Sequence, residues 1–565
     1  MVLGLLKKEI PSIHAAAFLI GAAGFLSRIL GLFRDRLLAS EFGASRTLDV
    51  YYASFQIPDF LFTVFLVGAA SAAILPTFIG FWQQDKVKAR LFIGGLLSVF
   101  SLGALIISIT VAVFAPFLTR WVAPGFDEDG QALMVLMTRI MMLSPIFLGV
   151  SNIFSSVVQA NRQFLVFALT SIFYNLGIIF GILVFVPWLG PSGLALGVVL
   201  GAFLHMAVQI PAVSKLNFRP VFRHWQKIPG LKNVLVLSLP RVAALSLAQV
   251  IIIVLVGLGS KLTPGSVAVF QFSNNLRYLP IGIIGVSYAM AAFSQLTEDA
   301  VRKMGTNFYT KLSAVTETIL FWLVPIAFFT IILRAHIVRM VLGAGLFNWE
   351  DTRLTAAALA IFSLAIIAEG LSPLFLRSFY AIGNTKLPLY ISLFTATLVI
   401  GSAPFFVAMF TTGRASGHFI ANLMKVGDLP NVGVLGLAMA FTLGSVVDAM
   451  LLRLALFSEA KKYFGSSYTN GFGVAFAKII VAAFLASVLG YGTLYLLSPH
   501  ISLSTFWGVM GQATITFLVS ASFYGALMHV MGSQETEDII NLFRRKLLSK
   551  EIVPLELDHE RESLK

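Results

Sequence analysis

Apolar stretches about 20 residues long recur along the whole chain, and that is the length an α-helix needs to cross a hydrocarbon layer ~30 Å thick. They fall near 16–40, 50–82, 90–118, 133–159, 164–187, 190–213, 232–259, 265–296, 309–333, 354–380, 388–411, 432–457, 473–497 and 505–531, which predicts fourteen spans. Backbone in lipid must satisfy its own hydrogen bonds, so a chain built this way is an all-α polytopic membrane protein. The charged fraction agrees: 12% over 565 residues, against roughly 25% for soluble domains. The first stretch follows Met1–Ile13 without a small-residue cleavage site and predicts a retained helix. Pro58, Pro76 and Pro280 are expected to bend the long second and eighth helices, because proline removes a backbone donor.

Basic residues in short loops set orientation. Lys7 and Lys8, Lys86 to Arg90, Arg162, the run from Lys215 to Lys227, Arg302, Lys303, Lys386, Lys461, Lys462 and Arg544 to Lys546 share one side. That side is read as cytoplasmic, with both termini on it, while the acidic run Asp127, Glu128, Asp129 faces outward.

Two helical groups resemble each other. Gly193-Leu-Ala-Leu-Gly in the sixth helix is similar to Gly436-Leu-Ala-Met-Ala in the twelfth; Gly68 falls on Gly285 and Asn161 near Asn384. Both copies enter from one side, so a parallel repeat about the membrane normal is expected. Chance matching of small-residue runs is the other reading. The repeat divides the chain into an N-lobe at 1–213, a basic cytoplasmic linker at 214–231, a C-lobe at 232–457, two further helices within 458–531 and a cytoplasmic amphipathic tail at 532–565.

The chemistry lies in charges that interrupt these helices. One near the bilayer centre costs roughly 2.5 kcal/mol or more, so each needs a wet cavity or a partner. Arg28, Arg34, Asp35 and Arg36 crowd the first helix. At 3.6 residues per turn Gly24, Arg28, Gly31 and Asp35 share a stripe about 60° wide, and Arg34 points about 120° from Arg28. Gly24 and Gly31 make a candidate hinge. Arg28 lies about 18 Å along the helix, near the midplane; Arg36 is expected to snorkel to the outer interface.

Further along stand Asp49, Asp59, Arg277, Glu369, Arg377, Asp448 and Arg453. Arginine offers phosphate oxygens a fork of donors, so Arg28 and Arg277 facing one cavity would bind a phosphorylated anion. A structural ion pair is the alternative for both, and pairing is expected of Asp448 with Arg453. Glu369, Asp49 and Asp59 are candidate sites for a coupling cation or proton.

Soluble-enzyme motifs are missing. The chain has no cysteine, no His-Glu-x-x-His and no Walker glycine loop, so no metal centre, cofactor or ATP site is expected. Nucleic acid is not an expected partner. Energy would come from a monovalent cation or the membrane potential. His205 reads as a packing residue, and Glu535 to Lys550 as an interfacial helix.

Ser27-Arg-Ile-Leu-Gly-Leu-Phe-Arg-Asp35, Phe42-Gly-Ala44, Asp49 and Pro58 closely resemble the opening signature of the MviN/MurJ lipid II flippases. Ala123-Pro-Gly-Phe126, Gln209 with Pro211, and Arg377-Ser-Phe-Tyr-Ala-Ile-Gly-Asn-Thr-Lys-Leu-Pro388 extend the resemblance over nearly the whole chain. It implies the fold of the MOP exporter superfamily, two six-helix lobes plus two C-terminal helices that form a lipid groove. It implies transfer of an undecaprenyl-pyrophosphate-linked peptidoglycan precursor across the bacterial cytoplasmic membrane, with other cell-wall synthesis proteins as partners. It places Arg28, Arg34 and Asp49 at functional positions.

The resemblance breaks where the family has two arginines, here Phe62 and Thr63, a glutamate, here Val67, and a helix-eight arginine, here Asn275. Arg277 lies two residues on, about 200° around the helix, and takes that place only if the helix rotates or unwinds. A flippase for another polyprenyl-linked glycan, or a drug or cation exporter of the same fold, therefore stays open. A membrane glycosyltransferase would need catalytic carboxylates, for which only the run Asp127 to Asp129 is dense enough.

Overall fold

The computed structural model describes residues 13–67, 74–214, 231–430, 432–465, 472–503, 505–538 and 540–541. Nearly all of the expected linker, the tail beyond 541, Gly68 and the first lysines lie outside them.

Helices stand at all fourteen expected positions. They are α1 (Ile13–Phe42), a broken α2 (Arg46–Ser54, Gln56–Leu61, a π-helical turn Phe62–Val67, and Ile74–Gln84) and α3 (Lys86–Val122). Next come α4 (Glu128–Ala160), α5 (Phe164–Leu189), α6 (Ser192–Val213), α7 (Leu231–Ser260), α8 (Ser266–Val301) and α9 (Gly305–Leu342). The series ends with α10 (Trp349–Ala381), α11 (Lys386–Thr411), α12 (Val434–Phe464), α13 (Phe472–Leu497) and α14 (Phe506–Val530). Among the described residues, eleven of these are long and apolar enough to cross a membrane.

Several helices overrun their apolar cores by a turn or more, because polar caps outside the apolar run start them. Asp85 accepts from the amides of Val87 and Lys88 to start α3, and Asp127 accepts from Gly130 to start α4. Asn348 and Asp351 form a capping box at the head of α10. The acidic run Asp127 to Asp129 is thus the start of a helix. Pro280 is followed directly by a π-helical turn, Ile281–Gly285, and Pro58 sits just ahead of the π-helical turn in α2.

Glycines set the closest crossings. A Cβ on Gly177 of α5 would stand 2.3 Å from the Gly201 Cα of α6, so these two helices meet backbone to backbone. Gly193 opens α6 against the Phe185 and Val186 backbone, and Gly436 opens α12 against Phe406 and Val407. Helices α13 and α14 pack on each other and on α9, where the Tyr524 hydroxyl donates to the Phe321 carbonyl at 2.9 Å.

The apolar interior is divided unevenly. At the end carrying the α1–α2, α3–α4, α7–α8 and α9–α10 connections, one core joins both halves: Leu38, Leu48, Val122 and Met134 pack with Val256, Phe272, Leu342 and Phe347. At the opposite end the described residues of the two halves form separate cores, Phe78, Phe92 and Val157 in the first and Phe308, Leu320 and Leu456 in the second. The bundle is sealed at one end and two-lobed at the other. Exposed Trp121, Trp188, Trp349 and Trp507 all ring the sealed end, an aromatic belt that marks a membrane interface.

Candidate functional site

Main-chain atoms dominate the seal. The Leu346 amide donates to the Ser40 carbonyl at 2.9 Å, and the Gly125 amide to the Ser260 hydroxyl at 3.0 Å. Gly265 sits at φ +91°, with Ala44 so close that a Cβ would lie 2.2 Å from its carbonyl oxygen, so only glycine fits. Asp49, fully buried, accepts from the amides of Gly265 at 2.7 Å and Ala268 at 2.9 Å, and Arg46 stands 3.7 Å from it. An N-terminal carboxylate suits the positive end of α8. Asp49 therefore ties α2 to the head of α8, and its carboxylate is already committed.

Deeper in the cleft, α1 presents its charges to both lobes. Arg34 donates to Asp35 at 2.8 Å and 3.0 Å, and to the Asn175 side-chain oxygen on α5 at 3.2 Å. Asn175 in turn donates to the Ser27 hydroxyl and to the Ser27 and Ser171 carbonyls. The other Asp35 oxygen accepts from Asn275 of α8 at 3.0 Å, and Gln271 donates to Asn275 at 3.1 Å. One chain of polar groups thus runs from α5 through α1 to α8.

Arg28 lies about two turns along α1 from Asp35, on the stripe they share. It donates to the Leu279 carbonyl at 3.1 Å, its guanidinium against Gly282 in the π-helical turn, and among the described residues this is its one hydrogen bond. A guanidinium has five N–H donors, so most of this one remains available. Arg36 does not snorkel: it donates to the Met340 carbonyl at 2.7 Å at the end of α9 and lies over the Phe506 ring. The unpaired carbonyls of a helix C-terminus supply its acceptors.

Arg277 is not beside Arg28. α8 stays helical through both residues, so with Asn275 facing α1, Arg277 points into the C-lobe. There it pairs with Glu369 of α10, donates to the Asn274 side chain at 2.6 Å and 2.9 Å, and lies against the rings of Phe362 and Phe441. Glu369 also accepts from Ser445 at 3.0 Å. These groups line a cavity of about 450 Å³ together with Asp448. Asp448 accepts from Ser372 at 3.3 Å and Thr395 at 3.2 Å rather than meeting Arg453, which is five residues on, about 140° around α12, and over Phe457.

Of the remaining candidates, Arg377 donates to the Val286 carbonyl at 3.3 Å, within the C-lobe. Asp59 is exposed and borders a small recess with Tyr174 and Phe62. α1 is continuous through Gly24 and Gly31, and a Cβ at Gly24 would meet nothing within 4 Å. His205 is a packing residue, its ring nitrogen 2.6 Å from the Ser151 hydroxyl beside buried Gln209. Sequence reasoning passed over Asn175 and Gly282. The first was detectable as an amide inside an apolar helix; the second had no signal, since glycine is common in such helices.

The family model described as lipid II flippase MurJ matches residues 38–511. A probable lipid II flippase MurJ of Thermotoga maritima is 31% identical over 385 residues, which cover 68% of this chain and 77% of that one. The lipid II flippase MurJ of Burkholderia cenocepacia is 25% identical over 453 residues, 78% and 83% of the two chains. A solved lipid II flippase MurJ in an inward closed conformation superposes with a TM-score of 0.70 at 24% identity, over 94% of this chain and all of the other. An inward-facing multidrug transporter of the MATE family and MOP superfamily gives 0.61 at 15% identity, over 78% and 96%. These superpositions establish the fold.

Proposed function

This chain belongs to the lipid II flippase MurJ family, and from that membership we propose that it carries the undecaprenyl-pyrophosphate-linked peptidoglycan precursor across the bacterial cytoplasmic membrane. The sealed end faces outward in this reading, both termini lie in the cytoplasm, and the lobes part toward the cytoplasm to admit the head group. Two parallel repeats rock about the cleft, a reading supported by the matching places of Gly193 and Gly436 at the openings of α6 and α12.

The observation that carries the proposal is the unequal state of the arginines. Arg34 is neutralised by Asp35, Arg277 by Glu369, and Arg36 is held by helix carbonyls. Among the described residues Arg28 and Arg36 both donate only to neutral carbonyls, but Arg36 is held at the end of α9 over the Phe506 ring, whereas Arg28 stands deeper in the cleft with one such acceptor and donors to spare, so it is the natural ligand for a diphosphate. Arg34 and Asn275 flank it as secondary contacts, Gly24 and Gly31 let α1 flex, and the polyprenyl tail stays in lipid along α13 and α14.

Coupling to a monovalent cation or the membrane potential is part of the same proposal, with exposed Asp59 as the acidic candidate, since Glu369 is already committed to Arg277 and Ser445. Asp49 is withdrawn from that role because the amides of α8 occupy it. A cation exporter would require a net acidic cleft, against which Arg28 stands.

Proteoliposomes loaded with lipid II and with other polyprenyl-pyrophosphate glycans test the proposal. Protein-dependent movement of lipid II is expected, and movement of another glycan with none of lipid II would transfer the assignment to that glycan.

A further inference from the structure

Gly282 lies in the π-helical turn of α8, where a residue without a side chain weakens the helix and needs a reason. Its neighbour Gly285 has one: a Cβ there would stand 2.4 Å from the Gly370 carbonyl oxygen of α10, so close helix packing demands glycine. At Gly282 the nearest neighbours are of another kind. The three atoms nearest a Cβ at 282 all belong to Arg28: Nη2 at 2.4 Å, Nη1 at 2.8 Å and Cζ at 2.9 Å. The space left by the absent side chain is filled by a guanidinium from the other lobe. That guanidinium also donates to Leu279, one residue before Pro280.

Resting on the reading of Arg28 as the diphosphate ligand, we propose that Gly282 is a positioning residue: it forms a seat that holds the Arg28 guanidinium at the cleft wall, ready to pass from the Leu279 carbonyl to a diphosphate. A flexible arginine must otherwise be ordered as the ligand binds, which weakens affinity; a seated one is ordered beforehand. A diphosphate is the stronger acceptor, because both partners are then charged. The exchange costs one interlobe hydrogen bond, so ligand capture loosens the contact between α1 and α8.

Gly282→Ala tests the seat, since the atoms the added methyl meets first are the end of a flexible side chain. Two readouts are taken on the purified full chain. One is the rate at which phenylglyoxal modifies Arg28, followed by peptide mass spectrometry without lipid; the other is affinity for undecaprenyl pyrophosphate. Arg28 modification is expected to rise several-fold and affinity to fall about tenfold, with thermal stability retained. In an Arg28→Ala background Gly282→Ala should add no further loss, as for residues acting through one group. Parent-like modification and affinity in Gly282→Ala, or an equal loss in both backgrounds, would overturn the seat. If the parent binds no polyprenyl pyrophosphate while Gly282→Ala still exposes Arg28, the seat stands and the substrate assignment falls.

Discussion

Asn275 and Asp35 join the lobes side chain to side chain, the amide on α8 donating across 3.0 Å to a carboxylate on α1 that is only 3% exposed. A hydrogen bond to a buried charge contributes about 1.5–3 kcal/mol. Asn275→Leu keeps the volume and removes the donor, so closure of the sealed end should weaken roughly tenfold or more. The chain lacks cysteine, so Ala44→Cys gives a single reporter at the seal. Faster maleimide labelling is expected in the Asn275→Leu background, and an unchanged rate would show that this bond does not hold the lobes.

Arg28 and Arg34 should fail differently when truncated. Arg34→Ala breaks the Asp35 and Asn175 contacts and leaves a buried carboxylate with one amide donor, so expression and thermal stability should drop. Arg28→Ala removes one bond to a carbonyl, so stability should hold while lipid II translocation falls tenfold or more. Melting curves and proteoliposome assays on the two variants separate the roles; parent-like transport by Arg28→Ala would remove it from the substrate site.

Glu369 should prove a stability residue for the C-lobe. Glu369→Ala strands Arg277, 3% exposed, against two phenylalanine rings without its counter-charge, at about 3–5 kcal/mol. Replacing both as Glu369→Leu with Arg277→Met should recover most of that loss, because no lone charge remains. Thermal unfolding in detergent reads the difference, and a double variant no more stable than the single would refute the pairing account.

Asp49→Ala leaves the amides of Gly265 and Ala268 without acceptors inside the seal, at about 1–3 kcal/mol each. Asp49→Asn keeps one oxygen and should lose about half as much. The loss should appear as lower thermal stability and faster labelling at Ala44→Cys, with lipid affinity spared; a selective loss of affinity would return Asp49 to the substrate path.

Helix positions were legible because span length and apolar run are dictated by the bilayer itself. Their ends were less so: α3 and α4 begin several residues early, where Asp85 and Asp127 cap them, and α9 runs well past its apolar core to Leu342. The charge inventory was also readable, but its pairing was not. A helical wheel places Arg277 about 200° from Asn275 without saying which face meets α1, and that choice decides whether Arg277 joins Arg28 or Glu369. Arg36 was misread because its partners, the Met340 and Val341 carbonyls, belong to another helix end, and carbonyls leave no trace in residue identity.

The seal at the tryptophan-ringed end is written largely in main-chain atoms: Ser40 to Leu346, Ala44 against Gly265, and Asp49 on two amides. Every residue type carries those same atoms, so such a lock survives wholesale exchange of the side chains around it. Sequence drift can then rework the cleft for a different head group while the closing surface stays intact, and substitutions that damage closure should concentrate at a few glycines and at Asp49.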